Sequence, residues 1–353
     1  MYEITANLHI HTKFSDGSKT HQQVIDAALD SNLDVIFFTD HNIYTDGIEG
    51  YHINGDNKLL AIMGEEVHDS CAEIQKNHLL SLGAEKSLCQ FAFNNQLLIK
   101  RIQKFGGISV IAHPHDPAMP AFNEPDISWE DSSITGVNGV EIWNGFSELK
   151  VRANKKWQAY FYGFFPKLLP QSPPKSSVAF WEKFLDDGQK ITALGGSDAH
   201  AIHFSAGFLN KVIFPYKYHF QSINSHLKLS SPLTGDYEKD KPLILKAIKN
   251  GNVFIANDLI SQSKGFQFQV RDRERFVQMG ESGRFQSGMK LIVDLPQQAD
   301  CLIFKNGGKI HTMEKTKGFS WDIPSPGRYR VECHKRYLFK QRTWIFSNPI
   351  YLT

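Results

Sequence analysis

The sequence predicts an α/β domain with a mainly parallel sheet or barrel, followed by a small all-β domain that resembles a sandwich. Two observations predict this order. Up to about residue 260, short apolar runs alternate with helical patterns, which is typical of α/β folds. After about residue 262, short strand candidates are separated by turn residues such as Asn306-Gly307. We therefore expect two domains, 1–260 and 261–353, in this chain of 353 residues.

The first domain shows its elements as apolar runs and helix boundary signals. Five runs predict buried strands: Val35–Phe38, Leu59–Met63, Ile108–Ala112, Gly139–Trp143 and Ile191–Leu194. A capping box formed by Thr20 and Gln23 predicts one helix, and a second pattern runs from Ser87 to Phe105. Asp240-Lys241-Pro242 predicts the start of another helix, which Gly251 ends. The proline-rich stretch 164–175 predicts a connecting loop.

In the second domain the apolar residues recur with a different period. Its strand candidates are Leu291–Leu295, Cys301–Phe304, Lys309–Met313, Phe319–Ile323, Tyr329–Cys333 and Thr343–Phe346. Turn residues separate them, and none of the runs has helical spacing. This pattern predicts an all-β unit.

Composition and charge exclude several classes of protein. A formal net charge of +2 gives no overall polyanion-binding surface, so a nucleic-acid partner is not expected. No uninterrupted apolar run reaches the ~18 residues of a membrane span, and the N-terminus has no signal-peptide pattern. We therefore expect a cytoplasmic protein without a membrane partner. The four cysteines lack metal-site spacing and are expected to be small buried hydrophobic residues.

Potential metal ligands recur at the ends of the predicted strands of the first domain. These segments are His9-Ile10-His11 with Asp16, Thr39-Asp40-His41, Gly64-Glu65-Glu66, His113-Pro114-His115, Glu141, and Ser197-Asp198-Ala199-His200. Because the carboxyl ends of parallel strands converge on one face, ligands far apart in sequence meet around one cleft. In an extended H-x-H segment, both imidazoles point to the same side and so bind one ion. A single H-x-H arises easily by chance, but six such strand ends predict a metal site.

The order of these motifs resembles the PHP (polymerase and histidinol phosphatase) superfamily. The motifs that carry the resemblance are His9-Ile10-His11, Ser15-Asp16-Gly17, Thr39-Asp40-His41, Gly64-Glu65-Glu66, Asn77-His78, Ala112-His113-Pro114 and Ser197-Asp198-Ala199-His200. They span about the first 200 to 260 residues. The resemblance implies a distorted seven-stranded β/α barrel that binds two or three divalent ions. The stretch Ser347-Asn348-Pro349-Ile350-Tyr351 resembles, more weakly, the C-terminal region of one phosphoesterase branch.

The resemblance also implies a role for each ligand. A first ion would be held by His9, His11, Glu66 and Asp198, and a second by Glu66, His78 and His113. A third would be held by Asp16, His41 and His200. Participation in catalysis is implied for Asp198, His200 and Glu66. All nine positions carry residues that bind metal ions.

Some neighbouring residues leave alternatives open. Strand alternation lets only one of Glu65 and Glu66 face inward, and the family pattern selects Glu66. The same pattern selects His113 over His115. Glu141 is either a ligand or a residue that orients one. The remaining histidines outside the motifs, His21, His52, His203, His219, His226 and His311, are expected at the surface or in packing, with His68 undecided.

These ligands predict hydrolysis by metal-activated water, with zinc, manganese or iron as the metal. Three divalent ions against the carboxylates of Asp16, Glu66 and Asp198 leave a positive surplus that suits a small anionic phosphate ester. Two ions, with the same carboxylates and a bridging hydroxide, leave about zero and suit the alternative, an amidohydrolase-like enzyme acting on an ester, amide or carbamate. A second alternative is a non-catalytic or exonuclease-type PHP module acting with nucleic acid. The sequence predicts no oligomeric state.

Overall fold

The computed structural model describes residues 1–206, 209–273 and 275–353. Through residue 257 its strands are β1 (Tyr2–Asn7), β2 (Val35–Phe38), β3 (Gly50–Asn54), β4 (Asn57–Val67), β5 (Leu79–Leu82), β6 (Ile108–Ile111), β7 (Gly139–Asn144), β8 (Thr192–Gly196), β9 (Ile202–Ala206), β10 (Leu209–Ile213), β11 (Ile223–Leu229) and β12 (Val253–Asn257). Its helices are α1 (His21–Leu29), α2 (Asn95–Lys104), α3 (Gly145–Arg152), α4 (Lys156–Phe164), α5 (Lys175–Asp186), α6 (Tyr216–Phe220) and α7 (Tyr237–Lys249). The chain is thus a mixed α/β protein.

The helix boundary signals are confirmed in part. Thr20 caps α1 through the expected capping box with Gln23, and Gly251 follows α7 with a φ of +72°. However, α7 begins at Tyr237 behind the Asp236 cap, so Pro242 lies inside the helix and not at its start. The helix predicted from Ser87 begins only at Asn95, because the side chain of Asn94 caps it by accepting the N–H of Leu97.

The large sheet is mixed, which corrects the expectation of a mainly parallel one. Parallel pairs join β1 to β2, β2 to β4, β6 to β7 and β7 to β8. Antiparallel pairs join β4 to β5, β5 to β6, β1 to β11 and β11 to β12. The connection from β4 to β5, residues 68–78, contains no helix. A chain that returns without a crossover helix pairs antiparallel with the strand it left.

Two bridges bring the segments after the strands together. Ile10, just beyond β1, forms a parallel bridge with Ala199, just beyond β8. His41, just beyond β2, bridges to Glu66 in β4. The segments that carry the predicted ligands therefore meet at one edge of the sheet.

The C-terminal part contains β13 (Gln267–Asp272), β14 (Arg275–Gln278), β15 (Ser282–Gly283), β16 (Lys290–Lys305), β17 (Gly308–Asp322), β18 (Gly327–Tyr337), β19 (Lys340–Ser347) and β20 (Ile350–Leu352). No helix occurs among its described residues. The two pairs of short strands predicted over 291–304 and 309–323 are single long strands that pair with each other through register shifts. Turn-like residues inside a long strand are accommodated at such irregularities.

The two parts of the chain share a sheet. Strand β19 pairs antiparallel with β12, and the Asn348 amide accepts the N–H of Ala193 at 2.7 Å while donating to the carbonyl of Val253 at 2.9 Å. The C-terminal core gathers around the buried side chains of Tyr329 and Trp344. The division at residue 260 stays a prediction, since these contacts run across it.

The core of the N-terminal part lies on both faces of the sheet. Val35 and Phe37 of β2 pack in one apolar cluster, and Ile36 and Phe38 pack in another against α1. Both faces are buried, which explains the continuous apolar runs of the strands. Cys301 and Cys333 are buried as expected, whereas Cys71 is exposed. Within the described ranges, no helix is both long and apolar enough to span a bilayer.

Candidate metal centre

Four predicted ligands form a tight group beyond the ends of β1, β4 and β8. The Nε2 atoms of His9 and His11 lie 3.0 Å apart, and each lies 3.1 Å from Oε2 of Glu66. Oδ1 of Asp198 lies 3.2 Å from Nε2 of His11 and 3.5 Å from Nε2 of His9. The sequence-based expectation that His9 and His11 point to the same side is met. We call His9, His11, Glu66 and Asp198 the first group.

The spacing of these atoms fits a coordination shell. An ion held at about 2.0–2.1 Å by each ligand has neighbouring ligand atoms about 3.3 Å apart in a tetrahedron and about 2.9 Å apart in an octahedron. The observed separations of 3.0–3.5 Å match these values. An imidazole nitrogen free of hydrogen and a carboxylate oxygen each offer a lone pair to a cation. The donor set of two such nitrogens and two carboxylates therefore fits a divalent ion.

Glu66 extends this arrangement to a second group. Its other oxygen, Oε1, lies 2.8 Å from Nδ1 of His78 and 2.9 Å from Nε2 of His113. Both oxygens of this one carboxylate therefore face histidines. Glu66 is buried, and its backbone is held in β4. This is the arrangement expected of a carboxylate shared between two ions.

A third group lies on the solvent side of the first. Oδ1 of Asp16 lies 3.1 Å from Nε2 of His200 and 3.6 Å from Nδ1 of His11, and Oδ2 lies 3.7 Å from Nε2 of His41. His41 also faces Glu66, with its Nδ1 3.2 Å from Oε2. The Asp16 side chain is 55% exposed, in contrast to the fully buried His9 and His11. The centre therefore opens towards solvent at Asp16.

In three of the candidate histidine ligands, a contact at one ring nitrogen determines which nitrogen faces the cluster without a hydrogen. Nδ1 of His9 faces both oxygens of Glu141 at 3.1 Å, and Nε2 of His78 faces the carbonyl of Gln75 at 2.8 Å. Nδ1 of His200 faces the carbonyl of Asp198 at 2.9 Å. An N–H directed at each of these acceptors leaves the opposite nitrogen free of hydrogen and able to bind a metal ion.

The carboxylates of the cluster raise the pKa of buried histidines beside them. Burial alone would lower the pKa of His11, but Asp198 and Glu66 raise it to about 10. Burial likewise opposes the shift at His113, where Glu66 raises the pKa to about 9. Burial would raise the pKa of Glu66, yet the charges of His9, His41 and His78 hold it well below its ordinary value. The carboxylates thus attract positive charge strongly, which divalent ions supply.

The structure separates the residues that the sequence left as alternatives. Glu65 points away from the centre and accepts hydrogen bonds from Ser87 Oγ and the N–H of Leu88, both at 2.7 Å. Glu141 contacts His9 and the N–H of His113, so it positions two of the candidate ligands. His115 belongs to none of the three groups found among the described residues.

Sequence reasoning missed residues that support the ligands. The Asn144 amide donates to Glu141 at 2.9 Å and to Asp198 at 3.3 Å. A Cβ atom on Gly196 would lie 2.0 Å from Oε1 of Glu141, so only glycine leaves room for that carboxylate. Asp40 accepts from the N–H of Thr12 at 2.7 Å and thereby holds the loop that carries Asp16. Asn144 ends β7 at the same sheet edge, which is the signal that was available.

The scattered histidines lie apart from the centre or beside it. His68 stacks on His78 with ring centroids 4.6 Å apart, and burial lowers its pKa to about 4. His226 is buried between Glu3 and Asp258 at 3.0 and 3.1 Å. His21 packs edge-on against Phe38. In the described parts of the chain, none of these belongs to the three groups.

Comparisons with known proteins give distant similarities, and no protein-family model matches the chain. An uncharacterized protein of Methanocaldococcus jannaschii is 21% identical over 189 residues, which cover 50% of this chain and 99% of that protein. A two-domain protein from Bacteroides vulgatus that contains a predicted PHP-like metal-dependent phosphoesterase is a similar solved structure, with 13% identity and a TM-score of 0.45 over 99% of this chain and 95% of that one.

A second similar structure is a lesion-specific endonuclease from Pyrococcus furiosus. It has 11% identity and a TM-score of 0.37, and the match covers 76% of this chain and 62% of the endonuclease.

Proposed function

We propose that this chain is a metal-dependent phosphoesterase of the PHP superfamily that hydrolyses a small phosphate ester. The proposal depends on the position of Glu66. One of its carboxylate oxygens lies close to His9 and His11, and the other lies close to His78 and His113. Such sharing is suited to two ions close enough to act on one substrate. The nine proposed ligands are His9, His11, Asp16, His41, Glu66, His78, His113, Asp198 and His200.

The charge of the site favours a phosphate ester over a neutral ester, amide or carbamate. The carboxylates of Asp16, Glu66, Glu141 and Asp198 lie in or against the cluster. Three divalent ions outweigh these four carboxylates and a bridging hydroxide by about one positive charge, whereas two ions leave about one negative charge. The third group around Asp16 supports three ions, and the positive surplus would attract a dianionic phosphate.

The protein's own contribution to the reaction is binding and orientation. Divalent zinc, manganese or iron, when bound, would polarise the phosphate and lower the pKa of water towards 7. Hydrolysis forms a P–O bond from water and breaks the bond to the ester oxygen, which leaves as an alcohol with a proton from water. Glu141 holds His9 in place, and His200 faces both Asp198 and Asp16 on the side of the centre that is open to solvent. We propose Glu66, Asp198 and His200 as catalytic residues.

The fold supports the same family. Strands β1, β2 and β4–β8 pair in succession, and the bridge between Ile10 and Ala199 joins the two ends of that series. We propose that they form the distorted seven-stranded barrel of the superfamily. The segment 261–353, whose described residues form no helix, would be the second domain, packed on the first through β19.

The test combines metal analysis with a substrate screen. The purified protein is analysed for zinc, manganese and iron, and assayed with p-nitrophenyl phosphate, bis-p-nitrophenyl phosphate and p-nitrophenyl acetate. We expect about three ions per chain and turnover of the phosphate monoester. Preferred turnover of the acetate with two ions would favour the amidohydrolase-like alternative. Because one similar structure is a DNA endonuclease, single-stranded and duplex oligonucleotides belong in the same screen.

Variants link the activity to the cluster. His9→Ala and Asp198→Ala are expected to abolish turnover while the far-UV circular dichroism stays unchanged. Asp16→Asn is expected to remove about one ion and most phosphatase activity. Asp30→Asn, at the exposed end of α1, is the matched control and should behave as the original chain. Full phosphatase activity in metal-free His9→Ala and Asp198→Ala proteins would contradict the proposal.

A further inference from the structure

A cavity of about 300 Å³ adjoins the metal centre on the side where it opens. Its wall is mainly apolar, with Phe146, Leu149, Ala159, Tyr160, Ile202 and Ile213 among the lining residues. We call this space the side cavity. It is separate from the three ligand groups, none of whose members lines it.

The position of the side cavity relates it to the substrate. The ring of Phe146, part of its wall, lies 5.5 Å from the ring of His200, and Ile202 follows His200 by two residues. The members of the cluster most exposed to solvent are Asp16, His41 and His200. A phosphate that approaches the metal centre from solvent therefore passes beside the side cavity. The rest of the same molecule would lie within reach of it.

The chemistry of the wall limits what the side cavity can bind. Its charged members are Lys150 and Glu124. Nζ of Lys150 is already bound to Oδ1 of Asp116 at 2.6 Å and lies 3.8 Å from Oε2 of Glu124. This leaves few free hydrogen-bonding groups for a polar ligand, and burying a polar group without a partner is costly. Apolar surface, in contrast, gains free energy when it leaves water.

We propose that the side cavity binds an uncharged alkyl or aryl group that forms the alcohol part of the substrate. The inference rests on the proposed function and narrows it to phosphate esters of apolar alcohols. Phe146, Ala159 and Ile202 would determine specificity by contacting this group. A volume of about 300 Å³ is at the lower end of the range for small-molecule sites, which suits a six-carbon chain or a bicyclic ring.

The test varies the apolar group while keeping the chemistry constant. Ethyl, butyl and hexyl phosphate release alcohols of nearly equal acidity, so differences in kcat/KM report binding of the chain. Each methylene buried in the cavity would raise kcat/KM up to about fourfold, which gives on the order of 10²-fold from ethyl to hexyl if all four are buried. Calorimetric titration with ethylphosphonate and hexylphosphonate, which are not hydrolysed, measures the same preference without turnover.

Two variants assign the preference to the side cavity. Ala159→Phe fills the space and Ile202→Asn makes its rim polar, so both should bring the hexyl-to-ethyl ratio of kcat/KM close to 1. Ile53→Asn, on exposed strand β3, is the control and should keep the full ratio.

The outcomes separate this inference from the proposed function. Hydrolysis that does not depend on chain length, or a ratio unchanged in Ala159→Phe, would overturn the inference and leave the phosphoesterase proposal standing. A clear preference for adenosine 5′-phosphate over hexyl phosphate would overturn it in favour of a nucleobase. If no ester is hydrolysed, the proposed function fails. In that case the calorimetric titrations test the inference, and equal affinities for ethylphosphonate and hexylphosphonate would refute it.

Discussion

Replacement of Glu141 by glutamine separates the orientation of a ligand from metal binding itself. Both oxygens of Glu141 lie 3.1 Å from Nδ1 of His9, and one also accepts the N–H of His113 at 3.1 Å. Glutamine keeps the size of this buried side chain but removes its charge and one of its two acceptor atoms. The ring of His9 would then lose the negative charge beside Nδ1 that makes Nε2 basic.

The expected effect is a 10- to 100-fold loss of metal affinity, equivalent to about 1.4–2.7 kcal/mol. Competition with a chelating dye measures the dissociation constants for Zn²⁺ and Mn²⁺ in the original chain and the variant. Glu65→Gln is the matched control, because Glu65 is also buried but bonds to Ser87 and Leu88, away from the centre. Equal affinities in Glu141→Gln and the original chain, or equal losses in both variants, would refute the role given to Glu141.

Three further predictions concern the supporting structure. Gly196→Ala should also weaken metal binding, because its Cβ would lie 2.0 Å from Glu141 Oε1. Gly308→Ala is the control and should leave metal affinity unchanged, because the nearest atom to its Cβ would lie 3.5 Å away. The chelating-dye assay measures the metal affinity of both variants. Burial lowers the pKa of His226, but its carboxylate neighbours raise it from 6.5 to about 9, so the stabilisation it provides is complete below pH 6.5 and is lost as pH rises through about 9. The Tm of the original chain should therefore fall more steeply between pH 7 and 10 than that of His226→Gln, and parallel curves would contradict this. Thr20→Ala should cost about 1 kcal/mol in urea unfolding by removing the α1 cap, and an unchanged midpoint would show the cap to be dispensable.

Local patterns predicted the parts of the fold that depend on local interactions. The strand Val35–Phe38 has the predicted bounds, and the Thr20 cap and the Gly251 terminus are in their predicted places. The proposed ligands were also identifiable, because their residue types and order along the chain are local information. The antiparallel neighbours of β5 were not predicted, since strand pairing depends on segments distant in sequence.

The sequence by itself thus determined the candidate ligands and the strand ends that carry them. Only the tertiary structure decided which groups each of these side chains contacts. It turned Glu65 towards Ser87 and Glu66 into the cluster, and it brought Glu141 against His9. The physical reason is that the direction of a side chain depends on the register of paired strands and on the space left by neighbours such as Gly196. These are non-local contacts, which no motif along the chain records.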